Sequence, residues 1–186
     1  MPRLFVAVDL AETQRAQLAA LIDEATRVTP ISGARWATGA QLHVTVRFLG
    51  SVAEDGVAQV RAALAQVRAD SFALALAGVG AFPEPPARKP ARVLWVGLQP
   101  VQPLRALKAA VDAVLGPDAE SAERGYTPHV TLARAPGMAP SERDAFLARH
   151  AALASAPAAV ARFCLYESKT LPTGAVYQVI EAYPLR

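Results

Sequence analysis

The chain has 186 residues, of which 53% are hydrophobic and 19% are charged, so its composition excludes an intrinsically disordered protein and suffices for a single two-lobed domain over 1–186. Its 19 basic and 16 acidic side chains give a formal net charge of +3, which permits an anionic substrate without requiring one. No apolar run reaches the roughly 18 residues of a membrane span, and the run 4–8 is too short for a secretory signal. We therefore expect a cytoplasmic monomer with no membrane partner.

Apolar periodicity predicts the secondary structure in chain order. Runs with strand character occupy 4–8, 34–36, 43–50, 72–79, 92–97, 129–134, 160–166 and 176–183. Apolar residues at helical spacing predict helices from Glu12 to before Pro30 and over 57–67, 104–114 and 141–150. In the last of these helices we expect Ser141 to be the N-cap and His150 to be solvated.

The single cysteine and a proline-rich segment each carry information about the chain. Cys164 is the only cysteine, so it has no partner for an internal disulfide or a thiolate metal site, and its apolar neighbours predict a core position. The proline-dense segment 82–90 predicts an exposed loop or hinge. Arg88 and Lys89 in this loop could reach a phosphate chain, but solvated charges are the simpler interpretation.

Strands and helices alternate along the chain, and two strands joined by a turn-rich connection close it. This order favours an α+β (or α/β) fold over a doubly wound parallel sheet. We expect a bilobed molecule with two facing, mostly antiparallel sheets, outer helices, a pseudo-two-fold relation and a central cleft. Neither a GxGxxG nor a GxxxxGK[ST] phosphate-binding loop is present in the sequence.

The triplet His-Val-Thr occurs once in each half of the chain, beginning at His43 and at His129. In a strand, alternate side chains share a face, so His43 lies on the same face as Thr45, and His129 lies on the same face as Thr131. Arg47 is predicted to share the His43 face. The apolar residues expected to anchor the opposite face are Leu42, Val44, Val46, Phe48, Val130 and Leu132.

Two imidazoles facing one small anion form a general acid and a general base of similar ordinary pKa, near 6.5. Phosphodiester hydrolysis uses such a pair, and threonine hydroxyls can donate hydrogen bonds to the non-bridging oxygens. A lone HxT motif is weak evidence, but two copies that contain two of the three histidines indicate a site. Zinc is the other functional interpretation, although two histidines would need a third protein ligand, and neither HExxH nor paired cysteines are present.

The sequences HVTVRFLG and PHVTLAR, with Arg92-Val93-Leu94-Trp95 between them and Tyr183-Pro184-Leu185 near the end, resemble the RNA 2′,3′-cyclic phosphodiesterases. These are also called 2′-5′ RNA ligases and belong to the two-histidine phosphoesterase superfamily. The resemblance implies two sheets with the HxT strands lining a cleft, no cofactor, and opening of an RNA 2′,3′-cyclic phosphate to a 2′-phosphate, with reverse 2′-5′ ligation.

The resemblance also implies roles for individual residues. His43 and His129 become the catalytic pair, with His43 as the acid towards the 3′ oxygen and His129 as the base towards water. Thr45 and Thr131 become phosphate-binding residues. Arg134 matches a family arginine that can contact phosphate, but strand alternation places it opposite His129 unless the strand ends or bulges there. Arg47 is left out of the site.

Two alternative functions remain open from the sequence, and so does the residue that would recognise a base. The substrate could be another small nucleotide or a 2′-5′ oligonucleotide that the same two-histidine chemistry would cleave. The chain could also be a non-catalytic module that binds RNA ends, although Arg or Lys would serve binding alone as well as histidine. A base could stack on Tyr126, Phe5 or Trp36, each of which is equally well explained by packing.

Overall fold

The computed structural model describes residues 1–84, 90–117, 125–171 and 174–186. Its helices are α1 Glu12–Val28, α2 Glu54–Leu64, α3 Gln102–Leu115 and α4 Pro140–His150, with a short 3-10 helix at Gly39–Gln41. Its strands are β1 Arg3–Asp9, β2 Arg35–Trp36, β3 His43–Ser51, β4 Phe72–Phe82, β5 Val93–Gln99, β6 His129–Arg134, β7 Ala158–Val160, β8 Arg162–Leu171 and β9 Gly174–Pro184. Within these ranges, no helix is both long and apolar enough to cross a membrane.

The strands pair in the order β7-β4-β5-β6-β3-β1-β8-β9, and β2 adds to β6. Their pairings are antiparallel, which confirms the predicted α+β class and excludes the doubly wound parallel alternative. The two predicted sheets meet at β3 and β6, so they form the two arms of one curled sheet.

The strand order explains the repeated motif, because the two halves of the chain have the same topology. The units β1-α1-β3-α2-β4 and β5-α3-β6-α4-β8 each place two antiparallel strands side by side and then send a third strand to the other half. Strand β4 pairs with β5, and β8 pairs with β1. The two His-Val-Thr strands, β3 and β6, therefore lie next to each other at the centre.

The main core lies between the helices and one face of the sheet. Its side chains come from the apolar stripes of the helices and from alternate strand positions, and they include Leu18, Val44, Leu104, Val130 and Phe163. A smaller cluster on another face contains Phe5, Ala7, Cys164 and Tyr166. Cys164 is buried there, as predicted, and burial raises the pKa of its thiol.

Two predictions for the last helix are wrong. Helix α4 begins at Pro140 after Ala139, and Glu142 accepts a hydrogen bond from the Ala139 backbone N–H at 2.7 Å; Ser141 is therefore not the N-cap, because proline already occupies the first helical position. His150 is buried against the Phe146 ring, with 4.8 Å between ring centroids. The alanines around it give no amphipathic signal, so the sequence does not reveal this packing.

Several element boundaries also differ from the predictions, since helix α2 covers Glu54–Leu64 and not 57–67, β8 continues to Leu171, and β9 begins at Gly174. The predicted strand 160–166 is divided at Ala161 into β7 and β8, which pair with β4 and β1 in opposite arms of the sheet. Strand β4 continues to Phe82, so the predicted loop begins later than expected. Arg88 and Lys89 lie outside the described residues.

Candidate active site

The two His-Thr pairs are positioned by a single contact between β3 and β6. Val44 is the register partner of Val130, and both side chains are fully buried in the core. Because directly opposed residues on antiparallel strands point to the same face, the flanking residues on both strands point to the other face. His43, Thr45, His129 and Thr131 therefore share one face around a local two-fold axis, as predicted.

The His43 imidazole has one nitrogen fixed and one presented to the site. Its Nδ1–H donates to the Gln41 backbone carbonyl at 2.7 Å, which leaves Nε2 as the acceptor in the neutral ring. Nε2 lies 3.1 Å from the Thr45 hydroxyl oxygen. The ring packs against Phe5 at a centroid distance of 4.9 Å and meets Tyr177 edge to face at 5.1 Å.

His129 has the same arrangement in the other half. Its Nδ1–H donates to the Thr127 carbonyl at 2.7 Å, two residues before it, as Gln41 is before His43. The Phe82 ring meets it edge to face at 4.9 Å, and the Trp95 indole lies 6.1 Å away. Both imidazoles therefore keep Nε2 available for proton transfer, with ring orientation fixed by backbone and aromatic contacts.

The two imidazoles differ in the charges around them. Burial lowers the pKa of both, because a desolvated imidazole disfavours its charged form. Asp9, the register partner of His43, acts against the effect of burial and raises the pKa of His43. The Tyr166 hydroxyl donates a hydrogen bond to the Asp9 carboxylate at 2.5 Å and so holds it in place. The guanidinium of Arg134 lowers the pKa of His129 further. The charges around His43 are mixed, because His129 and Arg15 lower its pKa while Asp9 raises it.

Arg134 reaches the His129 face through a bulge in β6. Leu94 pairs with Ala133 and Trp95 pairs with Thr131, which leaves Leu132 without a register partner. The extra residue reverses the alternation, since Leu132 and Ala133 are both buried and Arg134 is exposed. The condition set by the sequence for Arg134 to share the face of His129 is therefore met.

A matching bulge in β3 overturns two expectations. Val6 pairs with Arg47 and Ala7 pairs with Thr45, so Val46 has no register partner. After Val46, each side chain of β3 lies on the face opposite to the one that strict alternation predicts. Arg47, predicted on the His43 face, points to α3, whereas Phe48, predicted to anchor the core, is 62% exposed on the face of the His-Thr pairs. Strict alternation fails at both positions because of the inserted residue.

Arg47 is held against α3 by an ion-pair network. Its guanidinium donates to Asp112 at 3.0 Å and to the Gly116 carbonyl at 2.5 Å, and Lys108 donates to the same carboxylate at 2.8 Å. Only 10% of the Arg47 side chain is exposed. These contacts tie β3 to α3 and hold the Arg47 guanidinium on the side of the sheet opposite the His-Thr pairs.

The aromatic residues considered for base stacking occupy other positions. Phe5 is buried between His43 and Tyr166. Tyr126 is half-buried and donates from its hydroxyl to the Thr45 carbonyl at 3.0 Å, and burial raises its pKa. Trp36 packs near Phe146. All three have packing contacts in the fold.

Sequence reasoning gave no site role to several residues near the histidines, among them Asp9, Tyr177 and Phe82. Asp9 follows an apolar run and resembles a simple strand end, and only its pairing with His43 reveals its place. Among residues 1–84, 90–117, 125–171 and 174–186, no three His, Cys, Asp or Glu side chains converge as they would around a metal ion.

Known proteins share this sequence and fold. A family model described as the 2′-5′ RNA ligase superfamily matches residues 14–170. An RNA 2′,3′-cyclic phosphodiesterase of Thermus thermophilus is 33% identical over 99% of this chain and 90% of the relative, and one of Archaeoglobus fulgidus is 28% identical over 97% of this chain and 99% of the relative.

The solved structures include Escherichia coli LigT complexed with 3′-AMP, which matches with a TM-score of 0.74 at 26% identity, covering 99% of this chain and 98% of the other. The crystal structure of TT0787 of Thermus thermophilus matches with a TM-score of 0.73 at 31% identity, covering 99% and 98%. The chain belongs to the 2′-5′ RNA ligase superfamily.

Proposed function

We propose that this protein hydrolyses RNA 2′,3′-cyclic phosphate ends to 2′-phosphates, with His43 and His129 as the catalytic pair. The names of the relatives support a 2′,3′-cyclic phosphodiesterase activity. The observation that carries the paired-histidine mechanism is the placement of both His-Thr pairs on one face, around the contact between Val44 and Val130.

In the proposed reaction, water attacks the phosphorus on the side of His129, whose Nε2 accepts the proton that the water loses. The bond between phosphorus and the ribose 3′ oxygen breaks, and His43 donates its Nε2 proton to that oxygen. The product carries a 2′-phosphate and a free 3′-hydroxyl. Each proton transfer typically contributes about 10²–10⁴ in rate.

One charged neighbour of each histidine supports this division of roles, Asp9 beside His43 and Arg134 beside His129. A general acid must hold a proton before the reaction, and Asp9 favours the protonated state of His43. A general base must be neutral, and Arg134 favours the neutral state of His129. In both histidines Nδ1–H already donates a hydrogen bond to a backbone carbonyl, so Nε2 is the nitrogen that reacts in each ring.

The phosphate itself is bound by the remaining groups of the site in this proposal. The hydroxyls of Thr45 and Thr131 donate to the non-bridging oxygens, where charge increases as water attacks. Arg134 adds a charge-assisted hydrogen bond from the His129 side. If a 5′-hydroxyl replaces water as the nucleophile, the same proton transfers produce a 2′-5′ linkage, which is the ligation reaction.

The test is incubation of the purified protein with an RNA oligonucleotide ending in a 2′,3′-cyclic phosphate, with EDTA present, between about pH 5 and 9. We expect a 2′-phosphate product, and His43→Ala and His129→Ala should each lower kcat by about 10²–10⁴. His150→Gln is the control, since the third histidine lies in helix α4 against Phe146.

Three outcomes contradict parts of this proposal. A 3′-phosphate product reverses the choice of leaving oxygen. Activity that EDTA abolishes requires a metal-dependent mechanism. If no product forms while an RNA with a cyclic phosphate end still binds, the protein is a binding module for RNA ends.

A further inference from the structure

The side chain of Gln41 bridges two segments that lie on either side of it in space. Its Nε2 donates a hydrogen bond to the Ala175 backbone carbonyl at 2.6 Å. Its Oε1 accepts a hydrogen bond from the Thr38 backbone N–H at 2.9 Å. Ala175 lies at the start of β9, 134 residues away in sequence. Both polar atoms of this half-buried side chain therefore have a partner in the fold.

The main chain of Gln41 accepts the hydrogen bond that orients the His43 ring. The Nδ1–H of His43 donates to the Gln41 carbonyl at 2.7 Å. This carbonyl lies at the end of the short 3-10 helix Gly39–Gln41. A helix of a single turn has little stability of its own. The direction of the carbonyl therefore depends on the contacts that hold this segment in place.

Arg15 holds the segment from the side of α1. Its guanidinium donates to the Gly39 carbonyl at 2.9 Å and to the Leu42 carbonyl at 3.3 Å. These carbonyls belong to residues on either side of Gln41 in the chain. The Gln41 side chain supplies the hydrogen bond that ties the same segment to β9.

Strand β9 also contacts the His43 ring directly. Tyr177 is two residues after Ala175 and shares its face of β9. The Tyr177 ring meets the His43 ring edge to face, with 5.1 Å between centroids. The start of β9 therefore supports the imidazole through Tyr177 and supports the carbonyl bonded to that imidazole through Gln41.

We propose that Gln41 is a positioning residue, whose side-chain bond to Ala175 fixes the carbonyl that holds His43 in its productive orientation. The proposal rests on the proposed function, in which His43 donates a proton from Nε2 to the ribose 3′ oxygen. The neutral ring that remains must keep its other proton on Nδ1, where the Gln41 carbonyl accepts it. The hydrogen bonds of a histidine ring decide which nitrogen is protonated, so a displaced carbonyl permits the unproductive form.

The test compares the wild type with Gln41→Met, which keeps the length of the side chain and removes both of its hydrogen bonds. Nitrogen NMR of labelled histidine rings shows which nitrogen carries the proton above about pH 8, where such imidazoles are neutral. In Gln41→Met, His43 should gain the form protonated at Nε2. The ring of His129 should stay protonated at Nδ1, because its acceptor is the Thr127 carbonyl.

Steady-state kinetics with a 2′,3′-cyclic phosphate substrate measure the consequence for the reaction. Groups that orient a histidine through its second nitrogen contribute about 10- to 100-fold at metal sites. Gln41→Met should lower kcat about 10-fold with little change in KM, because the carbonyl itself remains. Gln17→Met is the matched control, since the Gln17 amide also donates to a distant backbone carbonyl, that of Ala154, at 2.9 Å. This control should change neither the protonated nitrogen of His43 nor kcat.

The positioning role is overturned if Gln41→Met keeps the wild-type proton position on His43 or the wild-type kcat, while the wild type hydrolyses the substrate. An equal fall in kcat for Gln17→Met also overturns it. Each of these results leaves the proposed hydrolase function intact. If the wild type hydrolyses no cyclic phosphate, the proposed reaction fails and the NMR comparison decides. A change confined to His43 then supports positioning by Gln41, and an unchanged ring overturns it.

Discussion

Val44 and Val130 form the register pair through which β3 and β6 join the two arms of the sheet. Each valine separates a histidine from a threonine along its own strand. Because both valines are buried on the core face, the contact that joins the arms also aligns the two His-Thr pairs on the opposite face. Fold and site therefore depend on the same two side chains.

The burial of the two histidines predicts a shift in the pH profile of the reaction. Burial lowers the pKa of both imidazoles below the ordinary value of about 6.5, so kcat/KM should be greatest at mildly acidic pH. The acid is lost as pH rises through the pKa of His43, and the base is lost as pH falls through the pKa of His129. The bell should therefore have both limbs below their ordinary positions.

Asp9→Asn tests which limb belongs to His43. The substitution keeps an oxygen for the Tyr166 hydroxyl but removes the charge that raises the pKa of His43. The alkaline limb should move to lower pH, and the acidic limb should stay. Kinetics from pH 4.5 to 8 measure both limbs, and movement of the acidic limb alone would show that His43 has the lower pKa of the pair.

The sequence predicts the site up to the bulges and fails beyond them. Alternation correctly places His43 and Thr45 on one face, with Val44 and Val46 buried on the other. It is wrong for Arg47 and Phe48, because a bulge depends on the neighbouring strand and leaves no mark in the sequence of β3.

Long-range pairing limits the prediction in the same way. Asp9 is brought to His43 by the register of β1 against β3. The Asp9 carboxylate is then fixed by Tyr166, which is far away in sequence. Composition and local periodicity predict strands and buried faces, but they do not predict which strand ends meet.

Removal of the Arg134 guanidinium should weaken binding of the substrate phosphate at the site. A hydrogen bond to a charged group contributes roughly 1.5–3 kcal/mol, so Arg134→Gln should lower kcat/KM by about 10- to 100-fold and weaken inhibition by inorganic phosphate. Arg105→Gln is the control, because Arg105 is an exposed arginine on α3. Equal kcat/KM values for the two variants would remove Arg134 from the phosphate site.

Gly80 leaves room for the Trp95 indole against β4, because it has no side chain. A methyl group added there would overlap the Trp95 ring, and this ring packs near His129 and Phe82. Gly80→Ala should therefore lower the free energy of unfolding by roughly 1–3 kcal/mol and also lower kcat, because the imidazole loses its support. Urea unfolding and steady-state kinetics measure the two effects. Gly137→Ala, where the added methyl meets nothing within 4 Å, should change neither, and wild-type values for Gly80→Ala would contradict the prediction.

Asp112 connects the back of β3 to α3, because Arg47 and Lys108 both donate to its carboxylate. Their side chains are only 10% and 8% exposed. Asp112→Ala leaves two buried cations without this carboxylate, and breaking a buried ion pair costs roughly 3–5 kcal/mol. Urea unfolding should show a loss of about 3 kcal/mol, since Asp112 itself is partly exposed.

The double variant Arg47→Met/Asp112→Ala provides the decisive comparison. Removing both charges should recover part of the stability that Asp112→Ala loses, because one of the two cations that pair with Asp112 is gone as well. Asp144→Ala removes the exposed partner of Arg143 and should change the free energy of unfolding little. If Asp112→Ala is no more destabilising than Asp144→Ala, the ion-pair network between β3 and α3 does not stabilise the fold, and His43 is positioned by strand pairing and by its own ring contacts.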